Sequence, residues 1–309
     1  MFRKLFDYLL RFFFLYYESK RIRYLTELHG FEPKRIPYGK YSIFLLEKKG
    51  EPEYPDLVFV HGLLDAGYGF RKLIHHLRYP GRIIIPDLPG FGRSRLPEFS
   101  YLFQMDVMAE ILYTSLEVLK PNRCILIGHS MGGLISQMMV LRESQRKAKD
   151  KMFHKLILLG SGGIPHPRRD EMKRILFPEN TDDIGFLLQY LYFADFPKPN
   201  WITRRILLSV WDSFSNHSLA ENTIRREKEI FFGERASEID LPTLIIGGRH
   251  DELTTPEMME TFHRCIRRSK LVILEKTKHA LHIEKPELVA NLILDFIKRD
   301  IKKPIRNLS

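Results

Sequence analysis

Cys124-Ile125-Leu126-Ile127-Gly128-His129-Ser130-Met131-Gly132-Gly133 is the stretch that decides how this chain is read. A short apolar, β-branched run ends in Gly-x-Ser-x-Gly, and a helix-compatible run from Leu134 to Leu141 follows. That is the layout of a nucleophile elbow, a strand-to-helix turn sharp enough to lift a serine hydroxyl clear of the sheet. Glycines on both sides let strand and helix approach without a Cβ clash. The backbone N–H after the serine, that of Met131, is then free to face a developing oxyanion.

A serine nucleophile requires a base, and the base requires an orienting carboxylate. Downstream, the strand-like run Leu244-Ile245-Ile246-Gly247-Gly248 leads to Arg249-His250-Asp251-Glu252. Another run, Leu271-Val272-Ile273-Leu274, leads to Lys278-His279-Ala280-Leu281-His282. Carboxylate and histidine each follow the end of a strand, where ligands bind in open α/β sheets. Asp251 competes with Glu252 for the acid, and His279 with His282 for the base. The earlier run Leu156-Ile157-Leu158-Leu159 is followed by Gly160-Ser161-Gly162-Gly163, which offers no carboxylate and favours the later position. Upstream, Leu57-Val58-Phe59-Val60 runs into His61-Gly62-Leu63, so the Leu63 N–H is the expected partner of Met131 in an oxyanion hole. His61 reads as a brace for its loop, and His129 as a packing or turn residue.

Together these segments resemble the α/β-hydrolase superfamily. The resemblance is carried by His61-Gly62, Asp87-Leu88-Pro89-Gly90-Phe91-Gly92-Arg93-Ser94, Gly128 to Gly133, Gly248-Arg249-His250-Asp251, and His279 followed by Glu284-Lys285-Pro286. It spans roughly residues 41–300. It implies an α/β fold, a mostly parallel central sheet flanked by helices with an inserted helical cap. The implied catalytic residues are Ser130 as nucleophile, Asp251 as acid and His279 as base, with no metal or organic cofactor. Lys278 departs from the family's usual glycine before the histidine. The implied division is an N-terminal amphipathic helical segment at 1–30, a core at 31–163 and 237–309, and a cap at 164–236.

A chain of 309 residues is long enough to bury a sizeable core. Its two cysteines, Cys124 and Cys265, have no metal-ligand spacing and read as free thiols, consistent with a cytoplasmic setting. The net charge of +11 suits anionic partners. Yet Arg and Lys are scattered, and base-stacking motifs are absent, so nucleic acid is not expected.

Residues 2–18 point to a different anionic surface. At about 100° per residue, Arg3, Lys4, Asp7, Arg11 and Glu18 fall in one stripe, and Phe, Leu and Tyr cover the rest. Asp7 and Arg11 interrupt any signal-peptide or spanning pattern. A helix lying in the plane of an anionic membrane fits better, with Lys20, Arg21 and Arg23 meeting headgroups, so residues 2–23 are expected to make the protein peripheral on a membrane. The competing reading docks this helix on the protein's own body or on a partner chain.

The stretch 164–236 breaks the strand rhythm with runs such as Phe186-Leu187-Leu188, Trp201-Ile202 and Ile206-Leu207-Leu208. Its aromatics imply packing within a cap and an apolar acyl or aromatic substrate. The layout of aromatic N-terminal helix, core and short cap is similar to that of membrane-associated monoacylglycerol lipases, which implies a serine esterase or lipase. A thioesterase, a carbon–carbon bond hydrolase or a ligand-binding receptor on the same fold are the alternatives. Dehalogenase or epoxide chemistry would need a carboxylate where Ser130 stands.

Overall fold

Short apolar runs become strands, and longer periodic runs become the helices that cover them. In the computed structural model, helix α1 (Phe2–His29) precedes strands β1 (Glu32–Tyr38) and β2 (Tyr41–Lys48). The chain then alternates through β3 (Leu57–Val60), α2 (Arg71–His76), β4 (Ile83–Pro86), α3 (Met105–Val118), β5 (Cys124–His129), α4 (Met131–Arg142) and β6 (Phe153–Leu159). Helices α5 (Arg169–Leu176), α6 (Thr181–Leu191), α7 (Trp201–Trp211), α8 (Phe214–Arg225) and α9 (Glu227–Ile230) intervene before β7 (Thr243–Gly248). Helix α10 (Pro256–Cys265), β8 (Ser269–Leu274), α11 (Leu281–Glu284) and α12 (Pro286–Ile297) follow. The structure describes residues 2–144, 146–147, 150–193, 199–231 and 233–298, with side chains for Leu10 and from Phe12 onward.

The strands form one sheet in the order β1-β2-β4-β3-β5-β6-β7-β8. β1 and β2 are antiparallel to their neighbours, and the strands from β4 to β8 in that order are parallel. Parallel pairing brings the C-terminal ends of β3, β5, β7 and β8 to one edge, which gathers the loops after Val60, His129, Gly248 and Leu274.

Both faces of the sheet are buried, as continuous apolar strands require. On one face, Val58, Leu126, Leu158 and Ile245 pack with Leu112, Ile135, Met139 and Phe262. On the other, Phe59, Ile127, Ile157 and Ile246 pack with Leu25, Leu73, Val289 and Ile293. The alternation follows the two-residue period of a strand.

Helix α1 docks on the body through Leu10, Glu18, Ile22 and Leu25, all under a tenth exposed. Residues 18, 22 and 25 share one face at helical spacing. The expected charged stripe therefore does not face outward at Glu18. That carboxylate lies inside because Arg93 meets it, with Nε 3.3 Å from Glu18 Oε2 and Nη2 donating to Ser19 Oγ at 3.1 Å. A buried charge is tolerated when paired. Large apolar and aromatic residues face the solvent instead: Phe12, Phe13, Leu15, Tyr16 and Tyr17 are all about half exposed. The side chains of Arg3, Lys4, Asp7 and Arg11 lie outside the described residues. Among the described residues, no helix is long and apolar enough to cross a membrane.

Candidate active site

The turn between β5 and α4 holds Ser130 at φ 54, ψ −121, a backbone conformation an L-residue rarely adopts. Such strain costs on the order of 1–3 kcal/mol and persists only where surrounding structure enforces it. The enforcement is visible in the glycines. A Cβ on Gly128 would lie 2.5 Å from the Gly132 carbonyl oxygen, and one on Gly132 would lie 2.2 Å from that of Val60. Only hydrogen fits at either position, so the elbow motif is a steric requirement.

Ser130 Oγ donates to His279 Nε2 at 2.7 Å. His279 Nδ1 donates to Asp251 Oδ2 at 2.8 Å. Three loops, after β5, β7 and β8, thus place these groups in one hydrogen-bonded chain. Asp251 is buried and also accepts from the Leu253 N–H (2.8 Å), the Thr254 N–H (3.0 Å) and Thr254 Oγ1 (2.7 Å). These donors satisfy a carboxylate that burial would otherwise destabilise.

The competing residues lie elsewhere. Glu252 pairs with Lys278 and stands 3.9 Å from Arg168. His282 is buried between the rings of Phe70 and His129, and its Nε2 lies 4.0 Å from Asp65. Burial, reinforced by His279 and Arg71, pushes the His282 pKa down to about 3. This imidazole is neutral and has no hydrogen-bond partner among the described residues.

The loop after β3 closes the other side. A Cβ on Gly62 would sit 3.0 Å from Ser130 Cβ and 3.1 Å from His129 Nδ1, so the loop carrying Leu63 lies against the serine. Neither the Leu63 nor the Met131 N–H donates to a backbone carbonyl among the described residues. His61 braces the loop: Nδ1 donates to the Gly62 carbonyl (2.8 Å) and Nε2 accepts from the Leu88 N–H (2.9 Å). That pattern fixes a neutral tautomer, and burial keeps its pKa low. Asp87 accepts from the N–H groups of Gly67 and Arg93, both at 2.7 Å, and burial raises its pKa to about 6.

Three further residues support the site: Thr254, which the sequence reading does not single out, and His129 and Lys278, to which it assigns no such role. His129 Nε2 donates to the His279 carbonyl at 3.0 Å and so positions the histidine loop. Thr254 Oγ1 bonds Asp251 and stands 3.2 Å from His279 Nδ1. Lys278, the departure noted above, donates from Nζ to the Gln189 carbonyl at 2.8 Å, tying its loop to α6. The His129 role depends on the approach of a loop 150 residues away, for which spacing gives no signal, whereas Thr254 bonds Asp251 from three residues further along the same turn.

Two cavities meet at Ser130 and His279. One, of about 700 Å³, extends past Leu63 and Leu187 toward α1, where Phe14 and Arg21 join its wall. The other, of about 140 Å³, is apolar and lies among Met105, Met131, Leu134, Leu219 and Met258. Helices α5, α6 and α7 contribute walls to these cavities through Met172, Leu187 and Leu207. Among the described residues, no group of three or more His, Cys, Asp or Glu side chains is placed to hold a metal ion.

Comparison with known proteins gives consistent results. The chain is 29% identical over 266 residues to the uncharacterized hydrolase YugF of Bacillus subtilis, covering 80% of this chain and 91% of that protein. It is 22% identical over 286 residues to epoxide hydrolase 3 of Xenopus tropicalis, covering 81% and 73%. Among solved structures, that of a bacterial membrane phospholipase A superposes with a TM-score of 0.79 at 21% identity, covering 98% of this chain and 100% of that one. At that identity the likeness concerns the fold. The family model for the alpha/beta hydrolase fold matches residues 55–286, which include every loop that meets at Ser130. With its mostly parallel sheet and that match, the chain belongs to the alpha/beta hydrolase family.

Proposed function

We propose that this protein is a serine hydrolase that cleaves a carboxylic ester with an apolar acyl or aromatic portion, an esterase or lipase working through an acyl-enzyme. The observation that carries this reading is the unbroken chain Ser130 Oγ–His279–Asp251 at 2.7 and 2.8 Å. Epoxide opening in this fold calls for a carboxylate nucleophile, and this chain has Ser130 there.

His279 Nε2 takes the Ser130 proton as Oγ attacks the ester carbonyl, and Asp251 stabilises the imidazolium. The Leu63 and Met131 N–H groups receive the oxyanion, and losing one such donor costs roughly 2.7–4 kcal/mol. The tetrahedral intermediate collapses with cleavage of the ester C–O bond, and His279 hands its proton to the departing alcohol. A water molecule then gives a proton to His279 and its hydroxyl to the acyl carbon. Ser130 leaves, recovers the proton, and the acid is released. Helices α5–α9 serve as the cap that shapes the cleft and limits water entry.

A second reading concerns α1: it lies on an anionic membrane surface, through residues 2–23. Support comes from the exposed Phe12, Phe13, Leu15, Tyr16 and Tyr17, with Lys20, Arg21 and Arg23 also exposed.

The deciding experiment is hydrolysis of p-nitrophenyl acyl esters and matched thioesters by the protein and by Ser130→Ala. Ester turnover falling about 10³-fold or more in the variant is expected. Turnover that survives the substitution would overturn the serine mechanism, and tight ester binding without turnover would favour a receptor.

A further inference from the structure

The two cavities that meet at Ser130 differ in charge as well as size. The smaller has a mainly apolar wall, including Met105, Leu134, Ile164 and Leu219, and its two cations, Arg169 and Lys173, both pair with Glu227. A dry cavity of about 150 Å³ takes a ring of six carbons, so one of this size accommodates a short acyl group.

The larger cavity carries cations at its α1 end. Arg21 from α1 and Arg71 and Lys72 from α2 all line it. None of the three has a carboxylate within ion-pair distance among the described residues. The cavity's other cations differ. Arg204 lies 3.7 Å from Asp182, and Lys278 lies 3.1 Å from Glu252. Arg21 instead sits over the Tyr68 ring, 5.4 Å from its centre. Arg71 is half buried, and both burial and the Arg21 charge weigh against its guanidinium. Among the described residues, Asp65 is the one carboxylate lining this cavity; its Oδ1 accepts the Ala66 N–H, and burial raises its pKa. Among the described residues, three cations without a carboxylate partner therefore line a cavity that holds one acid, whose carboxylate is 4.0 Å from His282 and already accepts the Ala66 N–H. Guanidinium pairs in such a setting bind oxyanions through bidentate, charge-assisted hydrogen bonds.

Resting on the esterase reading above, we infer that the substrate's leaving alcohol bears an oxyanion, a phosphate or a carboxylate, held by Arg71 and Arg21 in the larger cavity while a short acyl group fills the smaller one. The direction follows from solvation. The acyl group stays covalently attached and finds its match in the apolar cavity. The charged alcohol occupies the cavity that supplies cations, and it departs through the roomier, more polar side. That side also admits the water for the second step.

The test compares kcat/KM on 1-butanoylglycerol, its 3-phosphate, and 3-(butanoyloxy)propanoate, with ethyl hexanoate and ethyl hydrogen adipate as a pair that moves the charge to the acyl side. The structure's reading requires at least one anionic alcohol ester to exceed neutral butanoylglycerol about tenfold or more, the scale of one charge-assisted hydrogen bond. That ratio should fall toward one in Arg71→Gln and in Arg21→Gln, recover in part in Arg71→Lys, and shrink with added salt. Equal rates on charged and neutral alcohol esters would overturn the inference and leave the esterase reading standing. So would a preference for the adipate, or an Arg71→Gln loss equal on all esters. No hydrolysis of any ester would overturn both.

Discussion

Lys278 Nζ lies 3.1 Å from Glu252 Oε1, whereas the neighbouring Asp251 turns the other way to meet His279. Two adjacent carboxylates that sequence order alone leaves in competition thus have separate tasks. Asp251→Asn should lower kcat about 10³- to 10⁴-fold with little change in thermal stability, because the imidazole loses the charge that sets its tautomer. Glu252→Gln removes only a partly exposed ion pair and should change kcat by no more than a few-fold. Steady-state kinetics on a soluble ester distinguish the two, and the reverse ranking would move the acid to Glu252.

The parts legible in the sequence are those fixed by local sterics and order. Gly128 and Gly132 announce the elbow because no Cβ fits at either position. Asp251 and His279 are legible as residues just beyond apolar strands, and parallel pairing then brings those strand ends together. Side-chain direction on α1 was not legible. A helical projection groups Glu18 with the other charges, but it carries no information about Arg93, 75 residues away, which draws that carboxylate inward. The same holds for His129, read as a packing residue, whose ring nitrogen reaches a carbonyl 150 residues distant.

Thr254 contributes locally, three residues after the carboxylate it supports. Its hydroxyl donates to Asp251 Oδ2 at 2.7 Å, beside the oxygen's bond to His279. Thr254→Val keeps the shape and the backbone N–H while deleting that donor. A hydrogen bond to a charged group contributes about 1.5–3 kcal/mol, part of which the two N–H donors to Asp251 Oδ1 offset. The expected result is a kcat lower by about tenfold with KM little changed. An unchanged kcat would mean that the backbone donors alone hold Asp251 in place.

For α1, replacing exposed rings tests membrane attachment more cleanly than deleting the helix. Deletion of residues 1–20 would remove buried Leu10 and Glu18, strip Arg93 of its partner and take Phe14 out of the cavity wall. Phe12→Ser with Phe13→Ser leaves those contacts intact. Burying one Phe side chain is worth about 1.5–3 kcal/mol, so the pair should weaken partition onto anionic liposomes by about a hundredfold or more. Sedimentation with liposomes of phosphatidylglycerol and phosphatidylcholine measures this. Undiminished binding of the double variant would discard the attachment through α1.

The buried imidazoles give stability a definite pH dependence. His282, with a folded pKa of about 3 against about 6.5 when unfolded, stays neutral in the fold while the unfolded chain takes up a proton. Its contribution is therefore fully present above pH 6.5 and is lost as pH falls toward 3, amounting to about 2 kcal/mol by pH 5. Asp87 acts in the opposite sense, since its folded pKa of about 6 lies above its unfolded value, so acid relieves the cost of its buried charge. The two partly cancel in the protein as it stands, and His282→Leu separates them. That variant removes a titrating ring whose nitrogens have no partner among the described residues. Its unfolding free energy, measured in urea at pH 8 and pH 5, should drop by about 2 kcal/mol less than that of the parent protein over the same interval. Equal drops would show that the His282 ring takes up its proton as readily in the folded chain as in the unfolded one, and the closed, neutral environment assigned to it behind Ser130 would have to be abandoned.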